Sequence, residues 1–375
     1  AGLLVRSLGE AERTDLGFEP RGVLLASVDL DVRGYDATRG RQLQGEWLRQ
    51  VRALPGVVHA SLLDVVPLTG SSRGSAMRKE GVPPPAAGRA DGLVTIGRKS
   101  VAPGHFDTLR IPLRLGRDFR DADTEGAPGV VIVNETTART LWPGESPLGR
   151  RLRLHDPTHP DTPLLEVVGV VADSRYVSVG EAPRPFLYRP LAQEYSADAS
   201  LVVRGNGTTR ALAAAVRARL RQMDPELPIV EMRMLDEATA LALLPIRLAA
   251  GLVTGLAVAV LGLAAIGIYG VHAHLAGQRT REFGILMALG ADRGAILWVV
   301  LREALRWIAL GAVGGVGLAW IATPLVASLL YGITPHDAPT FAAVVALLLA
   351  VGVAAALIPA ARASRLSPAD ALRHE

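Results

Sequence analysis

The chain has 375 residues, 49% of them hydrophobic, with 40 Lys and Arg against 36 Asp and Glu and a formal charge of +4 at pH 7. It contains no cysteine, which excludes disulfides and thiolate zinc sites and leaves either redox compartment open. Lys79 and Lys99 are the only lysines; the arginines that supply the basic balance are scattered among acids, which argues against a nucleic-acid partner.

Taken in chain order, the opening Ala1-Gly-Leu-Leu-Val-Arg-Ser7 is too short for the apolar region of a signal peptide. It reads as the tail of a helix begun upstream, so residues 1–19 are expected to be the end of a transmembrane helix and a linker. Residues 20–247 alternate strand-like and helix-like patterns. A strand is predicted over Gly22–Asp31, a helix over Thr38–Leu54 through Leu43, Trp47, Val51 and Leu54, and a strand over Val57–Val66. Ser200–Val203, Thr209–Met223 and Ile229–Met232 repeat the pattern. Each helix closes on a proline-containing turn, at Leu54-Pro55-Gly56 and Asp224–Pro228. Between the two units an insertion of about 68–198 carries short strands at Val94–Ile96, Gly129–Val133, Arg151–Leu154 and Leu164–Val171, with a short helix at Thr136–Leu141. The fold expected is an α+β domain of two strand–helix–strand repeats around a mostly β insertion, followed by an all-α membrane bundle.

That bundle occupies 248–375. Leu248–Gly270 carries no charge over 23 residues, and Trp307–Leu329 and Thr340–Ile358 are equally apolar. A helix apolar on every side has no solvated face, so three such runs mean three membrane spans. Gly251 and Gly255 form a Gly-xxx-Gly pair that would allow close helix contact, although glycine is common throughout, at 39 residues. Arg279, Arg281, Arg293, Arg302 and Arg306 lie between the first two spans, and Arg362, Arg365 and Arg373 follow the third. The link at 331–338 carries no arginine. Positive-inside logic puts the basic segments in the cytoplasm and residues 20–247 outside.

Little in this chain suggests chemistry. No phosphate-cradling Gly-Lys-Ser/Thr turn and no Gly-x-Ser-x-Gly elbow occur. His155 and His159 sit among prolines in a surface turn, and His272 and His274, two apart on a helix, point to different sides. No catalytic residue, metal site or cofactor is expected, and the chain reads as a non-enzyme. The link between spans one and two is more informative. Gln278–Leu289 forms a short helix ended by Gly290, with Phe283, Leu286 and Met287 on one side and Arg279, Arg281 and Glu282 in its first turn. Asp292 is a plausible N-cap for the next helix. By its physics alone the short helix suits either an interfacial anchor or docking into a groove on a cytoplasmic partner.

Tyr269-Gly-Val271, Gln278-Arg-Thr-Arg-Glu-Phe-Gly-Ile-Leu-Met-Ala-Leu-Gly-Ala291 and the tail Ile358–Glu375 resemble the signature of FtsX-like ABC-transporter permeases of the MacB type. Leu54-Pro-Gly-Val57, Val101–Phe106, Gly116–Phe119, Val131–Glu135, Trp142-Pro-Gly144 and Glu166–Val171 are similar to that family's periplasmic core. The likeness covers essentially the whole chain and is strongest to one half of the duplicated orphan permeases. It implies a multi-pass protein of the bacterial inner (plasma) membrane with its large domain outside the cytoplasm. It further implies a coupling helix, Arg279, Arg281, Glu282, Phe283, Leu286, Met287, Leu289 and Gly290, that contacts a separate cytoplasmic ABC ATPase. A second permease copy or fused half, and the lipid bilayer, are the other expected partners; the transported substrate is not indicated. The expected role is a permease subunit of an exporter or mechanotransmission complex. The alternative is a membrane-anchored scaffold that regulates an extracytoplasmic enzyme such as a cell-wall hydrolase.

Overall fold

The computed structural model describes residues 2–30, 35–69, 72–83, 85, 91–156, 159, 162–206, 208–224, 229–278, 282, 292–323 and 337–363. The elements in chain order are α1 (Gly2–Arg13), β1 (Val23–Asp29), α2 (Ala37–Arg52), β2 (Val57–Leu63), β3 (Arg73–Lys79), β4 (Val94–Val101), α3 (His105–Leu109), β5 (Leu113–Gly116), β6 (Val130–Asn134) and α4 (Glu135–Leu141). They continue with β7 (Arg151–Leu154), β8 (Leu164–Val171), β9 (Phe186–Pro190), β10 (Asp198–Gly205), α5 (Thr209–Met223), β11 (Ile229–Met234), α6 (Leu235–Ala242), α7 (Leu244–Gln278), α8 (Arg293–Ala322) and α9 (Ala338–Ala363). Two compact units form, Thr14–Leu244 and a second made of Ala1–Arg13 with Pro245–Glu375.

In the first unit the repeats β1-α2-β2 and β10-α5-β11 interleave into one antiparallel sheet ordered β11-β1-β10-β2. This is the βαββαβ arrangement of a ferredoxin-like layer. Both helices turn apolar stripes onto the sheet. Trp47 and Val51 of α2 and Val216 and Leu220 of α5 meet Leu24, Leu62, Leu201 and Val203 of the strands. The buried positions of α2 (Gly40, Gln44, Trp47, Leu48, Val51) recur at the spacing of one helical face. Asp36 caps the helix by accepting a 2.8 Å hydrogen bond from Arg39 N.

The sheet continues through a single pairing, Leu63 with Val101, into the insertion. There β4-β3-β7-β8-β6-β9 runs in order, and β9 pairs back onto β4 in parallel. Six strands thus close into a ring, which leaves no free edge to pair with another chain. Met77, Ile96, Val133, Val167 and Leu187 fill it together with Leu141 and Trp142 from the end of α4. The β6–α4 corner is held by Asn134, which is fully buried. Its Oδ1 accepts from Thr137 N (3.0 Å) and Phe186 N (3.0 Å), and its Nδ2 donates to Arg184 O (2.9 Å).

The expected α+β class with a mostly β insertion is the one observed. Arg151–Leu154, Leu164–Val171 and Thr209–Met223 match the predicted bounds, while β4 and β10 run longer than predicted. The reading passed over β3, β5, β9, α3 and α6. β3 is polar and broken by Gly74, β5 is four exposed residues, and β9 follows Pro183 and Pro185. None carries a hydrophobic period long enough to stand out. The turn predicted at Pro225–Pro228 lies outside the described residues.

The second unit holds three helices long and apolar enough to cross a membrane, at Leu244–Leu275, Leu301–Ala322 and Ala338–Pro359. The first and third run a few residues past the predicted spans, and the second begins at Leu301, before the predicted Trp307. The predicted end of the second span at Leu329, the link 331–336 and the tail 364–375 lie outside the described residues. α8 and α9 pack tightly. A Cβ on Gly352 would stand 2.9 Å from Ile308 Cδ1 and 3.2 Å from its Cγ1 and Cγ2, so the helices approach closely there and a larger residue would displace Ile308. Ala304 and Ala356 are fully buried in the same unit, and Trp320 and Phe341 meet at 5.8 Å between ring centroids. α1 buries Leu4, Ser7 and Ala11, one helical face. It is tied by two ion pairs, Arg6 with Asp337 and Glu12 with Arg247 at 2.9 Å.

Candidate functional site

α7 is a single helix of 35 residues, about 52 Å long at 1.5 Å per residue. It begins at Leu244, the last residue of the outer unit, and is described as far as Gln278, next to the predicted coupling segment. Within that segment Glu282 is helical and exposed. Arg279, Arg281, Phe283, Leu286, Met287, Leu289 and Gly290 lie outside the described residues. α8 starts at Arg293, directly after Asp292. Near the end of α7, His272 is buried and His274 exposed, as their spacing requires. His272 Nδ1 is 2.9 Å from Ile268 O, so that nitrogen carries the proton.

Along the middle of α7 large apolar side chains point outward: Leu252 is 75% and Leu263 71% exposed. Gly251 and Gly255 are also exposed, with open space around the position each Cβ would take. Among the described residues nothing packs on the pair. Gly352 is a closely packed glycine that sequence reasoning missed, because it stands alone in an Ala-Val run.

In the outer unit, His159 folds back on Asp156 through its backbone N (3.3 Å) and Nδ1 (3.2 Å), a local turn. No group of three potential metal ligands occurs among the described residues. His105 is buried and neutral, its pKa driven well below the ordinary value by burial and by the Lys99 charge. Its ring packs on Phe106 and Tyr188 at centroid distances of 5.4 and 5.9 Å, a core role.

One open cleft stands out there, with a volume of about 360 Å³. α2 forms one wall through Arg41, Gly45, Arg49 and Arg52, a stripe beside its buried face. The loop after β5 forms the other, through Arg120, Asp121 and Asp123. Leu48, Leu62, Ala102 and Leu191 supply an apolar floor. The loop is built on Asp123, which accepts from Arg117 Nη1 (2.8 Å), Arg117 Nη2 (3.0 Å) and Arg120 N (2.8 Å). Burial alone would raise its pKa, but those bonds and charges outweigh burial and hold it below the usual value. Arg52 is pinned by Nε to Ala60 O (3.0 Å) and Nη2 to Pro103 O (2.5 Å). Sequence reasoning missed this cleft because its walls come from segments about 70 residues apart.

A layered α+β unit followed in the chain by three helices long and apolar enough to cross a membrane, the first two separated by a basic stretch of sequence, is the layout of a membrane permease. Residues 23–223 match the model of the MacB-like periplasmic core domain, over half of the chain, and 254–368 match the FtsX-like permease C-terminal model. The chain belongs to the MacB/FtsX-like family of ABC transporter permeases. It is a multi-pass protein of the bacterial inner (plasma) membrane with its large domain on the extracytoplasmic side. It is 29% identical over 299 residues to the ABC transporter permease YvrN of Bacillus subtilis (strain 168), covering 72% of this chain and 68% of that one. It is 25% identical over 297 residues to the macrolide export ATP-binding/permease protein MacB of Neisseria gonorrhoeae (strain ATCC 700825 / FA 1090), covering 75% of this chain but 44% of that protein. The periplasmic region of MacB from Actinobacillus actinomycetemcomitans aligns with 60% of this chain and 93% of its own, at a TM-score of 0.40 and 13% identity.

Proposed function

We propose that this chain is the membrane-spanning permease subunit of an ABC-type exporter or mechanotransmission complex. A separate cytoplasmic ATPase subunit hydrolyses ATP, and the permease converts that event into movement of the extracytoplasmic domain. The observation that carries this reading is α7: one uninterrupted helix runs from the last residue of the outer unit to the first residues of the coupling segment. At about 52 Å it outreaches the ~30 Å hydrocarbon core of a bilayer. In this reading a displacement applied at its cytoplasmic end travels along the helix toward the outer unit.

In this reading residues 279–290 dock on the ATPase. Phe283, Leu286 and Leu289 provide apolar contact, while Arg279, Arg281 and exposed Glu282 fix orientation. The open face of α7 at Gly251 and Gly255 receives a second permease copy or half, whose backbone can approach there. The coupling assignment is tested by co-purifying the neighbouring ATPase with the Glu282→Arg/Leu286→Asp double variant. We expect recovery to fall at least tenfold. Unchanged recovery would remove the assignment.

A further inference from the structure

A cavity of about 300 Å³ lies between the helices of the membrane unit. α7 lines it with Leu261, Ile268 and His272, α8 with Trp307 and Gly311, and α9 with Leu348 and Gly352. The α7 positions share one helical face and cover about 16 Å of axis from Leu261 to His272. Along α7 the lining is therefore apolar for most of its length and ends at an imidazole. Polar side chains inside a span are rare and mark ligand or ion pathways, which singles out His272.

His272 is 9% exposed. Its Nδ1 lies 2.9 Å from Ile268 O. A carbonyl only accepts, so Nδ1 holds the proton of the neutral ring and Nε2 is left as an acceptor. Among the described residues Nε2 makes no hydrogen bond. With Nδ1 turned to its own helix, Nε2 is the nitrogen that faces the cavity.

A lipid acyl chain would fill the apolar length but leave that acceptor without a donor. A buried water needs roughly two to four polar partners. The one other lining side chain able to hydrogen-bond is Trp307, and it is 68% exposed. An apolar molecule that ends in a hydroxyl group satisfies both parts of the cavity. Its O–H donates to Nε2, and its hydrocarbon lies along the width that Gly311 and Gly352 leave open.

We propose that this cavity binds a lipophilic hydroxyl compound, with the O–H on His272 Nε2 and the hydrocarbon directed toward Leu261 and Leu348. Binding involves neither the coupling segment nor a second copy, so its failure is distinguishable from failure of the transmission reading.

The test measures binding of tritiated para-hexylphenol to the full chain in lipid nanodiscs, without ATPase, with empty nanodiscs giving the partition into lipid. The control competitor is para-hexylanisole, in which a methyl ether replaces the O–H. We expect saturable binding above the empty nanodiscs and displacement by the ether at least tenfold weaker than by the unlabelled phenol, a loss of about 1.4 kcal/mol or more. His272→Phe keeps a planar ring and removes the acceptor, so it should lose affinity for the phenol by the same factor, with its helix content verified by circular dichroism. Equal displacement by phenol and ether would overturn the proposal, and that comparison needs no variant. So would equal affinity of wild type and His272→Phe, or no saturable binding of the phenol at all.

Discussion

Lys99 lies on β4 at 3% exposure, one of two lysines in a chain that otherwise uses arginine. Burial pushes its pKa down to about 8, with Asp64 and Glu181 pulling the other way. An unfolded lysine titrates near 10.4. Between those values the unfolded chain binds more protons than the folded one, so this group makes stability rise with pH. Above pH 10 the buried tyrosines reverse the trend. Burial raises Tyr188 to about 12 and also raises Tyr176 well above its ordinary value, so the unfolded chain loses those protons first. The thermal midpoint of the outer unit is expected to climb from pH 8 to about pH 10. Lys99→Met should remove that climb, whereas a parallel climb in the variant would assign it elsewhere. Asn134 gives a second test. Alanine there strips a cap and leaves Phe186 N without one of its buried acceptors, at a cost of about 2–4 kcal/mol by denaturant titration. Neither residue is legible from the sequence as special: Lys99 lies inside β4 and Asn134 ends β6, and only the fold makes them dry.

At the scale of elements, legibility followed the length of the hydrophobic pattern. The three spans announce themselves because their apolar runs exceed 18 residues, and α2 and α5 because four turns of amphipathic spacing repeat. β5 and α3, at four and five residues, hold their places by pairing with β8 and by burying Phe106 and Leu109, which no local window reveals. The Gly251–Gly255 motif was visible but its partner was not, and Gly352 shows the converse, a close contact without a motif. Gly352→Leu should push α9 off Ile308 and destabilise the membrane unit by about 1–3 kcal/mol. Gly251→Leu, which meets open space, should leave the single chain's thermal stability unchanged while weakening association between copies. If both variants melt alike and associate alike, the two glycines do not differ in the way their surroundings indicate.

On the scale of the whole molecule, function rests on a division of labour between units. The outer unit has its own two cores and the membrane unit presents apolar helices to lipid. α7 passes from one to the other without a break. The sequence already carried this division, because charge distribution and apolar runs are read directly from it. The cleft on the outer unit was hidden, because its walls meet only when the insertion folds back on α2. The account's central claim is that one end of α7 works in the cytoplasm while the domain at its other end works outside. The natural absence of cysteine gives single-cysteine labelling no background, and Gly45 has open space for the new side chain. In intact spheroplasts a membrane-impermeant maleimide should label Gly45→Cys at once and Ile285→Cys only after the membrane is permeabilised. Labelling of Ile285→Cys in intact spheroplasts, or of Gly45→Cys only after permeabilisation, would contradict the account.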